Sequence, residues 1–219
     1  MLLLAAATTL ELDAFVSASP VGGGILTFCS GVGPVETALQ LTHTLATTTQ
    51  PISGVINFGI AGAYVGDGNG AGLLDICLAD REILGDLGIC LQERVEPLRG
   101  ECCDFLDTFD LDSPLLHRVA NILADAAITV HRGTFVTVNC VSGTRRRGDS
   151  LARQHQALCE SMEGAAVARI CQHFQLPLVE LRCISNLVED RDASTWRLRE
   201  ACRRCGQVVA RVVEGQRHV

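Results

Sequence analysis

Short apolar runs alternate along the chain with segments in which apolar residues recur every three or four positions. The runs predict β-strands and the periodic segments predict helices. We predict strands at residues 1–7, 24–29, 54–58, 75–79, 133–139, 157–160 and 178–184. We predict helices at residues 34–49, 113–127, 162–174 and 193–214. This alternation predicts an α/β fold: a single three-layer domain, residues 1–219, whose central mixed, largely parallel sheet is flanked by helices.

Local signals support these helix boundaries. Pro34 stands in the first turn of its helix, where a missing N–H costs nothing, and Pro177 follows the end of the third helix. The glycine-rich segment 66–72 lies between apolar segments, so we predict a surface turn there. The last helix should turn one apolar stripe toward the core: Ala201, Cys205, Val208, Val209 and Val212.

Composition and charge exclude several kinds of partner. The chain has 18 basic and 25 acidic side chains, a formal net charge of −7, which argues against nucleic acid. The arginine run at 145–147 is predicted to be a solvated loop. The apolar N-terminus lacks basic residues and leads into Glu11 and Asp13, so we predict a buried strand there rather than a signal peptide. Since no stretch reaches the roughly 18 apolar residues of a membrane span, we expect a cytoplasmic protein that does not enter membranes.

The eleven cysteines are scattered through predicted strands and helices, where a free thiol packs as a small apolar group. Cys202 and Cys205 form a C-x-x-C pair, but it falls inside a helical pattern and no second pair has zinc-site spacing. We therefore expect no metal. The sequence also lacks a dinucleotide fingerprint and a Walker motif, and we expect no cofactor.

Two glycine turns follow predicted strands: SGVG at 30–33 and GIAG at 59–62. They are either simple tight turns or places where the backbone approaches a ligand, and Gly62 is our candidate for such an approach. Phosphate binding needs a cradle of Arg, Ser or Thr groups. Ile60 offers no hydroxyl, so the second turn argues against a phosphorolytic site.

Polar residues collect where the predicted strands end, which is where ligands bind in α/β sheets. Glu163 opens a helix, where the dipole alone would favour a carboxylate. Its two oxygens also match the two vicinal hydroxyls of a ribose. Glu11, in a predicted loop after the first strand, is the second candidate acid, although alone it could be a solvated charge.

The segments ESMEGAAVA and RCISN together resemble the purine nucleoside phosphorylase and nucleosidase superfamily, above all its methylthioadenosine/S-adenosylhomocysteine nucleosidase branch. The order of ATTLELDA, SGVGPVETA, VINFGIAGA and GTFVTVNCVSGT also fits, so the resemblance covers about residues 3–196. It implies that Glu11 binds and deprotonates the attacking water, that Glu163 holds the ribose hydroxyls and that Met162 packs under the sugar.

On the base side, the resemblance implies that Arg182 and Ser185 position Asn186. It also implies that the backbone at Cys140 and Val141 meets the purine edge. The family often has an aromatic stacking residue near position 140, where this chain has cysteine.

Asn186 replaces the aspartate of adenine-cleaving relatives. A 6-oxopurine presents acceptors at both O6 and N7, and an amide NH2 offers two donors to them, whereas a carboxylate would repel them. Asn186 therefore predicts hypoxanthine, and after it guanine, as the leaving base, unless it only caps a turn. An amide cannot act as a true general acid, a role worth about 10²–10⁴ in rate. It can stabilise the departing base anion by hydrogen bonding.

The sequence SNLVEDRD resembles the futalosine hydrolases. This resemblance implies release of hypoxanthine from futalosine, a step of menaquinone biosynthesis, which leaves dehypoxanthine futalosine. The carboxyphenyl group on the 5′ side would need an apolar slot and a cation. Arg191 is the candidate cation, and its alternative is a surface ion pair with Asp190, Asp192 or Glu189. Trp196 either walls the slot or packs the last helix.

Three alternatives stay open: an inosine/guanosine phosphorylase, an adenosine-type nucleosidase with a relaxed site, and a catalytically silent nucleoside-binding module. The resemblance also implies a homodimer or higher homo-oligomer in which a neighbouring subunit closes the 5′ pocket. Segment 101–109 is the candidate lid.

Overall fold

The computed structural model describes residues 1–19, 24–65, 70–92, 94–96, 98 and 105–216, and in these residues strands and helices alternate. The strands are β1 Leu2–Ala6, β2 Ile25–Cys29, β3 Gly54–Tyr64, β4 Ile76–Leu84, β5 Ile89–Leu91, β6 Arg94–Glu96, β7 Thr108–Asp110, β8 Val130–Thr137, β9 Ala157–Ser161 and β10 Leu178–Val188. The α-helices are α1 Thr9–Ala18, α2 Pro34–Thr47, α3 Pro114–Asp125, α4 Arg145–His155, α5 Gly164–His173 and α6 Leu198–Gln216. A single 3₁₀ turn covers Ala193–Thr195.

One mixed sheet organises the fold. Its strand order is β10-β4-β8-β9-β3-β1-β2, with β7 beside β4. Strand β10 also pairs with β3, which closes β3, β9, β8, β4 and β10 into a ring. Five of the pairings are parallel and three are antiparallel. The predicted α/β fold with a mixed, largely parallel sheet is confirmed, but the central layer is a barrel-like ring rather than a flat sheet.

The ring closes because two strands are longer than their apolar runs suggest. β3 and β10 have 11 residues each, against the 54–58 and 178–184 predicted. Long strands twist, and a twisted strand can pair with different neighbours at its two ends. β3 thus contacts β1, β9 and β10 and extends through the predicted GIAG turn.

Helices cover the sheet in two groups. One apolar cluster joins β-strand residues to the inner faces of α3 and α6, and a second joins them to α5. The predicted stripe of α6 is buried along its whole length. Helix α6 crosses α1 so closely at Gly206 that a Cβ there would lie 2.5 Å from the carbonyl carbon of Ala14.

Two helices are absent from the sequence-based prediction. Helix α1 replaces the predicted loop around Glu11; only Glu11 and Phe15 of it are buried, so its apolar pattern is weak. Helix α4 replaces the solvated loop predicted for the arginine run, because Thr144 caps its N-terminus and Gly148 and Leu151 bury one face. Both predictions of loop were wrong.

No helix among the described residues is long and apolar enough to cross a membrane. Nor do the described residues contain three His, Cys, Asp or Glu side chains placed to hold a metal ion. Residues 66–69 of the predicted surface turn, and residues 101–104 of the predicted lid, lie outside the described residues.

Candidate active site

A cavity of about 330 Å³ lies where β3, β9 and β10 end. Ten residues are predicted from sequence for the site, and nine of them line this cavity. The nine are Glu11, Gly62, Val141, Met162, Glu163, Arg182, Ser185, Asn186 and Arg191. The tenth, Cys140, is exposed and its side chain does not line the cavity.

Glu11 reaches the cavity from the first turn of α1. Thr8 and Glu11 form a capping box in which the Thr8 hydroxyl and N–H both donate to Glu11 Oε2, at 2.6 and 3.0 Å. The Ile60 N–H donates to Glu11 Oε1 at 3.0 Å. Gly59 leaves room for this contact, because a Cβ there would collide with the carboxylate. The carboxylate is therefore held by three donors.

Glu163, the N-cap residue of α5, is the second acid of the cavity. The N–H of Gly33 donates to its Oε1 at 3.0 Å. Gly33 has φ +87°, a left-handed conformation that suits glycine, so the first glycine turn approaches a protein carboxylate. Burial raises the pKa of Glu163, while Arg182 and the Gly33 hydrogen bond act in the opposite direction.

Arg182 is fully buried behind these acids. Its Nε and Nη2 donate to Glu180 Oε1 at 3.0 and 2.9 Å, and its Nη2 lies 3.5 Å from Glu163 Oε2. Burial lowers the pKa of Arg182, but Glu180, Glu163 and Glu11 outweigh burial and hold the pKa above its ordinary value. The guanidinium therefore keeps its charge, and its Nε and Nη2 are engaged with protein carboxylates while Nη1 contacts the carbonyl oxygen of Ile60.

A β-bulge turns Asn186 toward the cavity. The pairing of β10 with β3 shifts between Ile184 and Asn186, so that Asn186 faces Gly62. A Cβ at Gly62 would lie 3.0 Å from Asn186 Nδ2, and the glycine thus preserves the space of the amide. The Ser185 hydroxyl can donate to Asn186 Oδ1 at 2.9 Å. With Oδ1 occupied, the NH2 group is the part left to address a ligand, since its contact to Leu187 O is long at 3.4 Å.

The loop after β8 is fixed by an acid that the sequence analysis did not select. Glu160 lines the cavity and accepts from the N–H and hydroxyl of Ser142, at 2.7 and 2.6 Å, and from the Tyr64 hydroxyl at 3.1 Å. These bonds hold Val141 at the cavity wall. Burial raises the pKa of Glu160, and the Ser142 bonds oppose the rise. The only sequence signal was its place three residues before Glu163, at the end of an apolar run.

Arg191 and Trp196 line the cavity together. The Arg191 guanidinium carbon lies 4.5 Å from the Trp196 ring centroid, a cation–π contact. Among the described residues Arg191 forms no ion pair, so the predicted alternative of a surface salt bridge is not what the structure contains. The pair presents an aromatic ring with a positive charge over one of its faces.

Comparison with known proteins identifies the family. The family model described as the phosphorylase superfamily matches residues 14–214. The chain belongs to the phosphorylase superfamily. It is 33% identical to a futalosine hydrolase of Thermus thermophilus over 88% of this chain and 82% of that protein. It is 30% identical to a futalosine hydrolase of Streptomyces coelicolor over 91% and 89%. The crystal structure of Helicobacter pylori 5'-methylthioadenosine/S-adenosyl homocysteine nucleosidase shares the fold, with a TM-score of 0.84, 19% identity and 97% of both chains covered.

Within the phosphorylase superfamily, the decisive feature of this cavity is how poorly its part around Glu11 and Arg182 suits a phosphate ion. The Ile60 N–H, which could otherwise bind a phosphate oxygen, already serves Glu11. The guanidinium of Arg182 is taken by Glu180 and Glu163. Three carboxyl groups, those of Glu11, Glu160 and Glu163, line the cavity. Such a lining favours a developing cation and disfavours phosphate.

Arg182→Met should lower the free energy of unfolding by about 3–5 kcal/mol at pH 8, because it leaves buried carboxylates without their cation. The loss should shrink at pH 5, where those acids can take up protons instead. Urea unfolding at both pH values measures it. Arg211→Met, which removes an exposed ion pair with Glu214, should cost less than about 1 kcal/mol. Equal losses for the two variants would contradict the central place of Arg182.

Proposed function

We propose that the protein hydrolyses the N-glycosidic bond of futalosine and releases hypoxanthine and dehypoxanthine futalosine. The observation that carries the proposal is Asn186, an amide turned into a cavity that also contains the carboxylates of Glu11 and Glu163. Similarity to two futalosine hydrolases at 30–33% identity over most of both chains supports the same substrate.

The leaving base is recognised by its acceptors. The Asn186 NH2 group donates toward O6 and N7 of hypoxanthine, and Ser185 keeps the amide in that orientation. The backbone at Gly62 and at Val141 flanks the purine edge. As the bond between the sugar and N9 breaks, its electron pair stays on the purine, and the amide donors stabilise that negative charge.

The ribose is held by a second group of residues. Glu163 accepts from the 2′- and 3′-hydroxyls, and Met162 packs beneath the ring. Glu11 accepts a proton from the attacking water, whose oxygen bonds to the anomeric carbon. Both carboxylates lie near the ribosyl oxocarbenium ion of the transition state, where negative charge is stabilising. Hydrolysis is favoured over phosphorolysis because Glu11 occupies the N–H group that a phosphate would need.

The 5′ side of the substrate carries the carboxyphenyl ketone. Trp196 supplies an aromatic wall for its ring, and the Arg191 guanidinium offers a planar fork that matches its carboxylate. This pair favours futalosine over methylthioadenosine, whose 5′ group is small and uncharged. Placement in menaquinone biosynthesis and in the cytoplasm belongs to the same proposal.

The protein is a homodimer or higher homo-oligomer in this proposal. Three apolar side chains form a strip at the start of α2 and leave 57%, 80% and 62% of their surfaces exposed: Val32, Val35 and Leu39. Val32 also lines the cavity. A second copy that covers the strip would lie beside the cavity, where segment 101–109 of that copy is the candidate lid.

Purified protein should release hypoxanthine from futalosine without phosphate, and added phosphate should not accelerate the release. Glu11→Gln should lower kcat by about 10²–10⁴, because the amide cannot take the proton of water, while futalosine still binds. Asp13→Asn, an exposed acid of the same helix, should act like the wild type. Strict dependence on phosphate, or undiminished turnover by Glu11→Gln, would contradict the proposal.

Asn186→Asp should reverse the preference for the base. The carboxylate repels O6 of hypoxanthine, so kcat/KM for futalosine should fall at least about a hundredfold relative to that for 6-amino-6-deoxyfutalosine. Parallel assays of free hypoxanthine and free adenine measure the ratio. Asn121→Asp, the same change on the exposed face of α3, should leave the ratio unaltered. An unchanged ratio in Asn186→Asp would show that the side chain at position 186 does not contact the base.

Val35→Glu should shift the protein toward the monomer, because it puts a charge into the proposed contact between copies. Light scattering coupled to gel filtration measures the mass. Gln207→Glu adds the same charge to the exposed side of α6 and should leave the assembly intact. A wild type that is monomeric at micromolar concentration would refute this part of the proposal.

A further inference from the structure

Two acids that do not line the cavity are fully buried behind it: Glu82 on β4 and Glu180 on β10. Burying one carboxylate is costly, and burying two side by side is more so. We propose that Glu82 and Glu180 share one proton, and that this pair positions Arg182 and, through it, Glu163. The positioning role rests on the proposed function, whereas the shared proton does not.

Hydrogen bonds connect Glu82 to the N-terminus of α5. The N–H of Ala165 donates to the Thr137 hydroxyl oxygen at 2.7 Å, and that hydroxyl donates to Glu82 Oε2 at 2.9 Å. The hydroxyl's one hydrogen is therefore directed at Glu82. The hydrogen-bond partner of Glu82 Oε2 is thus a neutral hydroxyl group.

Glu180 is connected to the same helix end by a different route. Its Oε1 accepts from Arg182, and Arg182 contacts Glu163, the N-cap residue of α5. Because Glu180 bonds directly to a guanidinium, it carries the negative charge. The two acids therefore complete a circuit of contacts that begins and ends at the first turn of α5.

The remaining oxygens of the two acids meet at Gly164. Glu82 Oε1 and Glu180 Oε2 are buried and have no donor among the described groups. A Cβ on Gly164 would collide with both oxygens, so they lie against the same glycine. Two carboxylates in this position would repel each other strongly in a low dielectric. One proton on Glu82 Oε1 turns the repulsion into a charge-assisted O–H···O bond and satisfies both oxygens.

The ionisation of Glu82 agrees with this arrangement. Burial, and after it the charge of Glu180, raises the pKa of Glu82 well above its ordinary value. A neutral Glu82 leaves Glu180 as the dedicated partner of Arg182. Glu180 then holds the Arg182 guanidinium in place. In this position the guanidinium contacts Glu163 but does not form a closer ion pair with Glu163 or Glu11.

The shared proton can be counted without a substrate. The folded wild type should hold a proton on Glu82 that the unfolded chain releases above about pH 4.3. Its unfolding constant, divided by that of Glu82→Gln, should therefore rise about tenfold per pH unit from pH 5 until the folded pKa is reached. Chemical unfolding of both proteins between pH 5 and pH 8 measures the ratio. Glu214→Gln, the same change at a partly exposed site of α6, should give a flat ratio.

A flat ratio for Glu82→Gln would overturn the shared proton. If that variant does not fold, infrared spectra of the wild type recorded between pH 5 and pH 8 decide: a protonated carboxyl band should be present in the folded protein below the folded pKa of Glu82 and lost on unfolding. Its absence from the folded protein would also overturn the proposal.

Turnover measurements on Glu82 variants distinguish a positioning role of Glu82 from a role in packing alone. Glu82→Leu, which cannot donate to Glu180, should lower kcat/KM for futalosine by about tenfold, and Glu82→Gln, whose NH2 can donate, should recover most of the loss. Equal activity of Glu82→Leu and the wild type would overturn the positioning role. Since unfolding requires no nucleoside, a wild type inactive on futalosine would refute the proposed function and leave the proton test intact.

Discussion

The buried guanidinium of Arg182 is the interaction on which the cavity depends. It lies among Glu11, Glu163 and Glu180, and each of these acids would repel the others if no cation stood between them. A planar fork with several donors suits this place, because it can contact two carboxylates and the carbonyl oxygen of Ile60 at once. The cavity can therefore concentrate negative charge without losing the fold, at the point where a glycosidic cleavage develops positive charge.

Backbone irregularities direct the side chains of the cavity. The bulge in β10 rotates Asn186 to face Gly62, and the left-handed turn at Gly33 directs an N–H at Glu163. In regular strands, side chains alternate between the two faces of the sheet. Without the bulge and the turn, Asn186 and Glu163 would not both be directed into the cavity. Closure of the ring brings β3, β9 and β10 to one rim, which explains why residues far apart in sequence share one small volume.

The sequence predicted well what is local and poorly what is not. Apolar runs predicted seven of the ten strands that the structure describes, and missed the three-residue strands β5, β6 and β7. The family motifs along the chain predicted nine residues of the cavity lining. Helix α1 was missed because it buries only two residues, and α4 because its arginines conceal the contact of Leu151. Glu160 and Glu82 acquire their roles from partners that are distant along the chain. Glu180 bonds to Arg182 on its own strand, but its second neighbour, Glu82, lies on β4. No spacing along the chain reveals such partners, and ring closure likewise depends on pairing between distant strands.

In the proposed mechanism, the capping box at the start of α1 has a kinetic consequence. Thr8 and Ile60 fix the carboxylate of Glu11 before any ligand arrives, so the cost of orienting it is met during folding. A preorganised acceptor needs little rearrangement of its surroundings as charge moves, and reorganisation is a large part of what slows the same reaction in water. In the proposed hydrolysis, the helix cap thus lowers the barrier, because the carboxylate of Glu11 is already ordered when the nucleoside enters.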